Sequence, residues 1–264
     1  MIKVFPNIEE LNSFAAEKFI EIAHEAIEKR SRFTVTLAGG STPKSLYKLL
    51  SSENFKDKID WAKIFFFFGD ERNVLPNDAE SNFRMANENL FEPLKIAEAN
   101  IFRWQTELED AGLIAADYEQ KIKTFFEMNR NPSATADGSD IVFDFILLGM
   151  GADGHTASLF PFTETVRTGS GSDGSNSQHE KIAVANIVEK LNTTRLTMTF
   201  PTINNARNIM FLVAGEEKAE TLREVLEGEF APEKFPSQNI NPKDGNLFWL
   251  LDENVAKLLR NYGS

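Results

Sequence analysis

Apolar positions along the chain alternate between short continuous runs and longer runs at the helical period. Residues 8–29 set Leu11, Phe14, Ala15, Phe19, Ile22, Ala26 and Ile27 at helical spacing and predict an amphipathic helix. Residues 33–37 form a short β-rich run that stops at Ala38-Gly39-Gly40. A helix is expected from Thr42 or Pro43, because Ser and Thr cap well and Pro is tolerated in a first turn. The pattern then repeats. A strand over 63–68 stops at Gly69-Asp70, helices are expected over 80–91 and 109–128, and a fully apolar strand over 143–148 ends in another glycine loop. Further strands are expected over 182–188, 195–199, 208–214 and 247–251, with helices over 216–227 and 252–260. Residues 129–140 read as a loop. Residues 163–180 carry the low-complexity run Thr168 to Ser177, and are expected to form a flexible surface insertion within one domain spanning 1–264.

Apolar strands alternating with helices predict an α/β fold with a mainly parallel sheet, covered by helices on both faces. In such sheets ligands bind beyond the carboxyl ends of the strands. Three strand ends here open into loops rich in Gly and polar residues, which makes those loops the candidates for chemistry.

Composition narrows the picture. With 264 residues and 42% hydrophobic content the chain can fill a substantial core. Cysteine is absent, which removes disulfides, thiolate metal sites and a cysteine nucleophile. The formal net charge of −12 argues against non-specific nucleic-acid binding, so any anionic ligand needs its own basic pocket. The N-terminus lacks the long apolar stretch of a signal peptide, and no apolar run approaches the roughly 18 residues of a membrane span. A cytoplasmic protein with a small-molecule ligand is expected, with neither nucleic acid nor membrane as partner.

The first loop is Leu37-Ala38-Gly39-Gly40-Ser41-Thr42-Pro43. Gly39 and Gly40 let the backbone approach a ligand, and the helix N-terminus that follows offers free N–H groups to an anion; an ordinary strand-to-helix turn has the same pattern. The second is Gly69-Asp70-Glu71-Arg72, followed by Ser81-Asn82. Arg72 could grip a phosphate with its planar fork and Asp70 could receive a proton or hold a hydroxyl; a solvated, ion-paired turn is the plainer reading. The third runs from Leu148 through Gly149, Gly151 and Gly154 to His155 and Pro161. Loop histidines are more often structural, but the glycines here expose backbone donors that could hold an oxyanion, and imidazole suits proton transfer near neutrality. His24 on the first helix and His179 in the polar insertion are read as structural or solvated. Ser158 lacks a Gly-x-Ser-x-Gly elbow, and no second histidine stands at zinc-ligand spacing from His155, so neither a serine nucleophile nor a metal site is expected.

Taken together, Leu37 to Pro43, Gly69 to Arg72 with Ser81-Asn82, and Asp144 to Pro161 resemble the 6-phosphogluconolactonase family in order and spacing. Arg195-Leu196-Thr197 and Val213 to Lys218 resemble its later motifs. The resemblance implies a three-layer, Rossmann-like domain shared with glucosamine-6-phosphate deaminases. It also implies phosphate contacts on Gly40, Ser41, Arg72, Arg195 and Lys218, and a general base at His155 with Asp70 nearby. The implied reaction is hydrolysis of 6-phospho-D-glucono-1,5-lactone to 6-phospho-D-gluconate in the oxidative pentose phosphate pathway. No cofactor is expected, since a lactone is already an activated acyl group, and loop N–H groups around Gly149, Gly151 and Gly154 are expected to face the oxyanion. Phe68 stands where the family usually has Trp, Phe162 stands where Gly is common, and the 163–180 insertion is longer and more polar than usual. The alternatives are a glucosamine-6-phosphate deaminase, which continues differently after Gly154-His155, and a non-catalytic sugar-phosphate sensor.

Overall fold

The computed structural model describes residues 1–129, 141–169 and 181–260. Among these, six parallel strands form one sheet in the order β1-β9-β8-β5-β2-β3. They are β1 (Ile2–Phe5), β2 (Phe33–Leu37), β3 (Ile64–Phe68), β5 (Phe145–Leu148), β8 (Asn208–Val213) and β9 (Asn246–Asp252). A second sheet, antiparallel and ordered β4-β7-β6, is made by β4 (Asp70–Arg72), β6 (Ala183–Val188) and β7 (Thr193–Met198). The chain crosses between the sheets at Gly69, whose N–H donates to Leu37 O while its own carbonyl accepts from Met198 N.

The helices are α1 (Ile8–Arg30), α2 (Ser41–Leu50), α3 (Asn82–Ala86), α4 (Glu92–Leu94), α5 (Ala111–Met128), α6 (Glu164–Gly169), α7 (Phe200–Asn204), α8 (Ala219–Glu227) and α9 (Glu253–Ala256). The alternation of side chains along β3 divides the two faces of the parallel sheet. Phe65 and Phe67 pack against Phe125 of α5. Phe66 and Phe68 pack on the other face against Phe91, where a π-helical turn (Asn87–Phe91) joins α3 to α4. On that same face Phe19 of α1 meets Phe33 and Phe145 edge-on. Helices therefore cover both faces, and burial of each of these rings stabilises the fold by roughly 1.5–3 kcal/mol.

The strands end where the continuous apolar runs end, as expected, but three local readings are corrected. Asp70–Arg72 is a strand rather than a loop, because its backbone pairs with β7. Helix α2 begins at Ser41, with Gly40 and no side chain as its cap. The stretch expected to begin a flexible insertion at 163 instead forms α6, with Thr165 and Val166 buried. The remainder, 170–180 with His179, lies outside the described residues, as does most of the 129–140 loop. No described helix is long and apolar enough to cross a membrane.

Two buried tyrosines fix the strand ends below the candidate loops. Tyr47 Oη donates to Ala38 O at 2.8 Å and accepts from Ala38 N at 3.0 Å, just beyond β2. Tyr118 Oη does the same at the last residue of β3, donating to Phe68 O at 3.0 Å and accepting from Phe68 N at 2.7 Å. Burial raises both phenols far above their usual range, so they stay neutral and keep the donor these clamps require. Phe68, where the family usually has Trp, is a fully buried core ring beneath this level, and Trp104 Nε1 donates to its carbonyl at 3.3 Å.

Candidate active site

The three loops meet at the carboxyl ends of β2, β3 and β5. They line a cleft of about 220 Å³ bounded by Gly39, Gly40, Ser41, Asp70, Arg72, Gly149, Gly151, His155 and Lys218. Gly40 has φ 103°, a left-handed conformation that favours glycine, and it turns the chain directly into α2. With no capping side chain, the first-turn N–H groups of this ten-residue helix are left to a ligand. Lys218, at the start of α8, adds a cation with no ion pair among the described residues.

His155 lines the same cleft and the lobe that adjoins it. Its Nδ1 lies 2.6 Å from Asp153 Oδ1, and its ring stacks on Phe160 with centroids 4.1 Å apart. Lys190 reaches the other carboxylate oxygen, Oδ2, at 3.3 Å. Burial pushes the Asp153 carboxyl up, but hydrogen bonds from His155 and the charges of its partners outweigh this and hold it well below the usual carboxylate range. An ionised carboxylate only accepts, so Nδ1 carries the proton toward Asp153 and leaves Nε2 as the ring atom facing away from it. Gly151 makes room for this arrangement. A Cβ there would lie 2.2 Å from both Cε1 and Nδ1 of the ring.

Asp70 opens β4 and is held from two sides. Its Oδ2 accepts from Ser158 Oγ at 2.7 Å, and its Oδ1 from Asn82 Nδ2 at 3.4 Å. Ser158 is itself fixed: Thr197 Oγ1 accepts from its N–H at 3.3 Å, and Asn186 Nδ2 donates to its carbonyl at 2.8 Å. Its hydroxyl therefore positions Asp70. The neighbouring Glu71 points away from the cleft and caps α3. Its carboxylate accepts backbone N–H bonds from Arg72, Asn82 and Phe83 at 2.7–2.8 Å and the Ser81 hydroxyl at 3.2 Å. Burial raises the Glu71 carboxyl, against the pull of those donors.

Most residues singled out from the sequence share this cleft. Arg195 does not border the glycine loop; it lines an adjoining outer lobe with Asp153, Ser158, Lys190 and Leu191. Asp70, Arg72, His155 and Ala157 line both lobes. Two expected oxyanion donors are already engaged. The N–H of Gly151 donates to His155 O at 2.9 Å and that of Gly154 to Gly151 O at 3.0 Å, so both shape the loop instead. Gly154 sits off the cleft, where its carbonyl accepts from Ser237. His24, on α1, contacts Lys58 O at 2.7 Å and is structural. Sequence reasoning missed Asp153 as the partner of His155 and Lys190 altogether. Asp153 had a signal, two positions before the histidine; Lys190 had none, since only folding brings it there. Among the described residues no three His, Asp or Glu side chains gather as a metal site.

Comparison with known proteins agrees with this architecture. Residues 6–249 match the model of the family described as glucosamine-6-phosphate isomerases/6-phosphogluconolactonase. The chain is 39% identical over 236 residues to a 6-phosphogluconolactonase of Synechocystis, covering 89% of this chain and 88% of that protein. It is 36% identical over 251 residues to one from Nostoc, covering 95% of each. The solved 6-phosphogluconolactonase of Trypanosoma cruzi superposes with a TM-score of 0.79 at 29% identity, over 98% of this chain and 96% of that one. A monomeric glucosamine-6-phosphate deaminase shares the fold, with a TM-score of 0.73 at 22% identity over 97% and 99% of the two chains. The cleft is thus built on a scaffold common to both activities, and the chain belongs to the glucosamine-6-phosphate isomerase/6-phosphogluconolactonase family.

Proposed function

We propose that the chain hydrolyses 6-phospho-D-glucono-1,5-lactone to 6-phospho-D-gluconate in the cytoplasm, with His155 as general base. The observation that carries this reading is the Asp153–His155 pair at a cleft that also holds an uncapped helix N-terminus, Lys218 and Arg72. The phosphate sits against the Gly40-Ser41 backbone, Lys218 and Arg72. That anchoring sets the acyl carbon near His155, a gain in positioning. Neutral His155 takes a proton from water at Nε2 as the water attacks, and the Asp153 carboxylate stabilises the imidazolium that forms. Loop N–H groups between Gly149 and Gly154 that are not engaged within the loop are the donors for the growing oxyanion. The imidazolium then protonates the departing ring oxygen. Asp70, fixed by Ser158 and Asn82, faces the sugar hydroxyls.

The names of the relatives support the same reaction, and so does the continuation Thr156 to Pro161 after His155, which resembles the lactonases rather than the deaminases. Lactone opening followed on 6-phosphogluconolactone and on unphosphorylated gluconolactone, each corrected for spontaneous hydrolysis, tests the proposal. Strong preference for the phosphorylated lactone is expected. Equal rates would remove the anchor, and ammonia release from glucosamine 6-phosphate would favour a deaminase.

A further inference from the structure

The cleft has a further cationic group, Arg195, that phosphate anchoring does not use. Arg72 and Arg195 are direct cross-strand partners on β4 and β7, and side chains so placed start about 5 Å apart. Arg195 has no ion pair among the described residues, and its Nε, shielded from solvent, has no hydrogen-bond partner. Burial and the neighbouring Arg72 both push its guanidinium below the usual range. A pair of like charges with an unmet buried donor is costly when empty and favours an anion between the forks. Of the acids nearby, Asp153 holds His155 and Lys190, Asp70 holds Ser158 and Asn82, and Glu71 caps α3, while Glu80 acts on the Arg195 charge without a salt bridge to it among the described residues.

The geometry points to Arg195 as the seat of the carboxylate that the reaction creates, with Arg72, which lines both lobes, shared between it and the phosphate. This rests on the lactonase reading. In that reaction the water oxygen bonds to the acyl carbon and the bond from acyl carbon to ring oxygen breaks. The ring oxygen leaves as a hydroxyl with the proton delivered by His155, and the new acid releases its own proton to solvent. The substrate enters with charge at one end, whereas the product carries charge at both. His155 and Asp70 line both lobes of the cleft, so the acyl carbon reacts between the two cationic ends. Arg195 is then a residue for the acyl end, and the glycine loop with Lys218 is the phosphate end.

The test compares two ligands by calorimetry. 6-Phospho-D-gluconate and D-glucitol 6-phosphate share the phosphate and the open chain, but only the first has a carboxylate. Wild-type protein is expected to bind 6-phosphogluconate about tenfold or more tightly than glucitol 6-phosphate. Arg195→Gln should bind the two alike, with glucitol 6-phosphate affinity within about twofold of wild type. Arg195→Lys, which keeps the charge without the fork, should retain part of the preference and covers the case in which the glutamine variant does not fold. Equal weakening of both ligands in Arg195→Gln would assign Arg195 to the phosphate and overturn the proposal. An unchanged preference in either variant would also overturn it. Wild-type protein that bound neither ligand would instead overturn the lactonase reading, and this assignment with it.

Discussion

Asp153 and His155, two residues apart, close a 2.6 Å hydrogen bond that sets the histidine tautomer. The bond depends on an ionised Asp153, which gives it a pH signature. The native Asp153 pKa is depressed, so its contribution to stability is fully present above the unfolded aspartate value of about 4. It is lost as pH falls through the native value. Denaturant unfolding of wild type and Asp153→Asn should therefore show the largest stability difference at about pH 5–7, shrinking steadily below about pH 4. A difference that grew on acidification would contradict the assigned charge state. The same variant should lower kcat at pH 7, since a neutral amide in place of the carboxylate leaves the ring free to adopt the other tautomer.

Gly151 is the space that the His155 ring occupies. Gly151→Ala places a methyl 2.2 Å from two ring atoms, so the ring must move. A displacement near 1 Å costs on the order of 10²-fold in rate. We expect kcat to fall by about that factor while affinity for inorganic phosphate is unchanged, since phosphate is assigned to the Gly40-Ser41 backbone and Lys218 rather than to the ring. Normal kcat in this variant would show that the ring position seen here is not the working one.

At the phosphate end, Lys218→Ala should raise KM for the phosphorylated lactone with little change in kcat, because an anchor acts in ground and transition states alike. Steady-state kinetics beside phosphate inhibition would check this. An unchanged KM would remove Lys218 from the anchor.

Phe162 has φ 61° and is 55% exposed, an expensive conformation for a side chain with little packing to offset it. Left-handed backbone costs an L-residue roughly 1–2 kcal/mol. Phe162→Gly should raise Tm by about 1–4 °C, after allowing for the greater freedom of glycine in the unfolded chain. Phe162→Ala, which keeps the strained backbone, should be less stable than the glycine variant. A glycine variant less stable than the alanine one would contradict the strain argument.

Much of the fold was legible because its central strands are continuous apolar runs, such as Phe65 to Phe68 and Phe145 to Leu148, which have few alternatives to burial on both faces. The glycine loops beyond them placed Gly40, Asp70, Arg72 and His155 in one cleft. What was missed is short or non-local. β1 is four residues whose strand character comes from pairing with β9, near the other end of the chain. β4 is three charged residues held by β7. The separation of β6 and β7 into their own sheet follows from the crossing at Gly69, which carries no periodic signal. Capping was misjudged at α2 because Ser41 and Thr42 are good cap residues that here lie inside the helix, and the bare N-terminus they leave is the feature a phosphate needs. Lys190 reaches Asp153 across 37 residues, a distance only the folded sheet closes.

The central claim, that one imidazole activates water at the waist of this cleft, is tested most directly by kcat of His155→Asn at pH 7 on 6-phosphogluconolactone, with spontaneous opening subtracted. Loss of the base should lower kcat by about 10²–10⁴ while leaving glucitol 6-phosphate affinity near wild type. A variant that kept near-normal kcat would contradict the account.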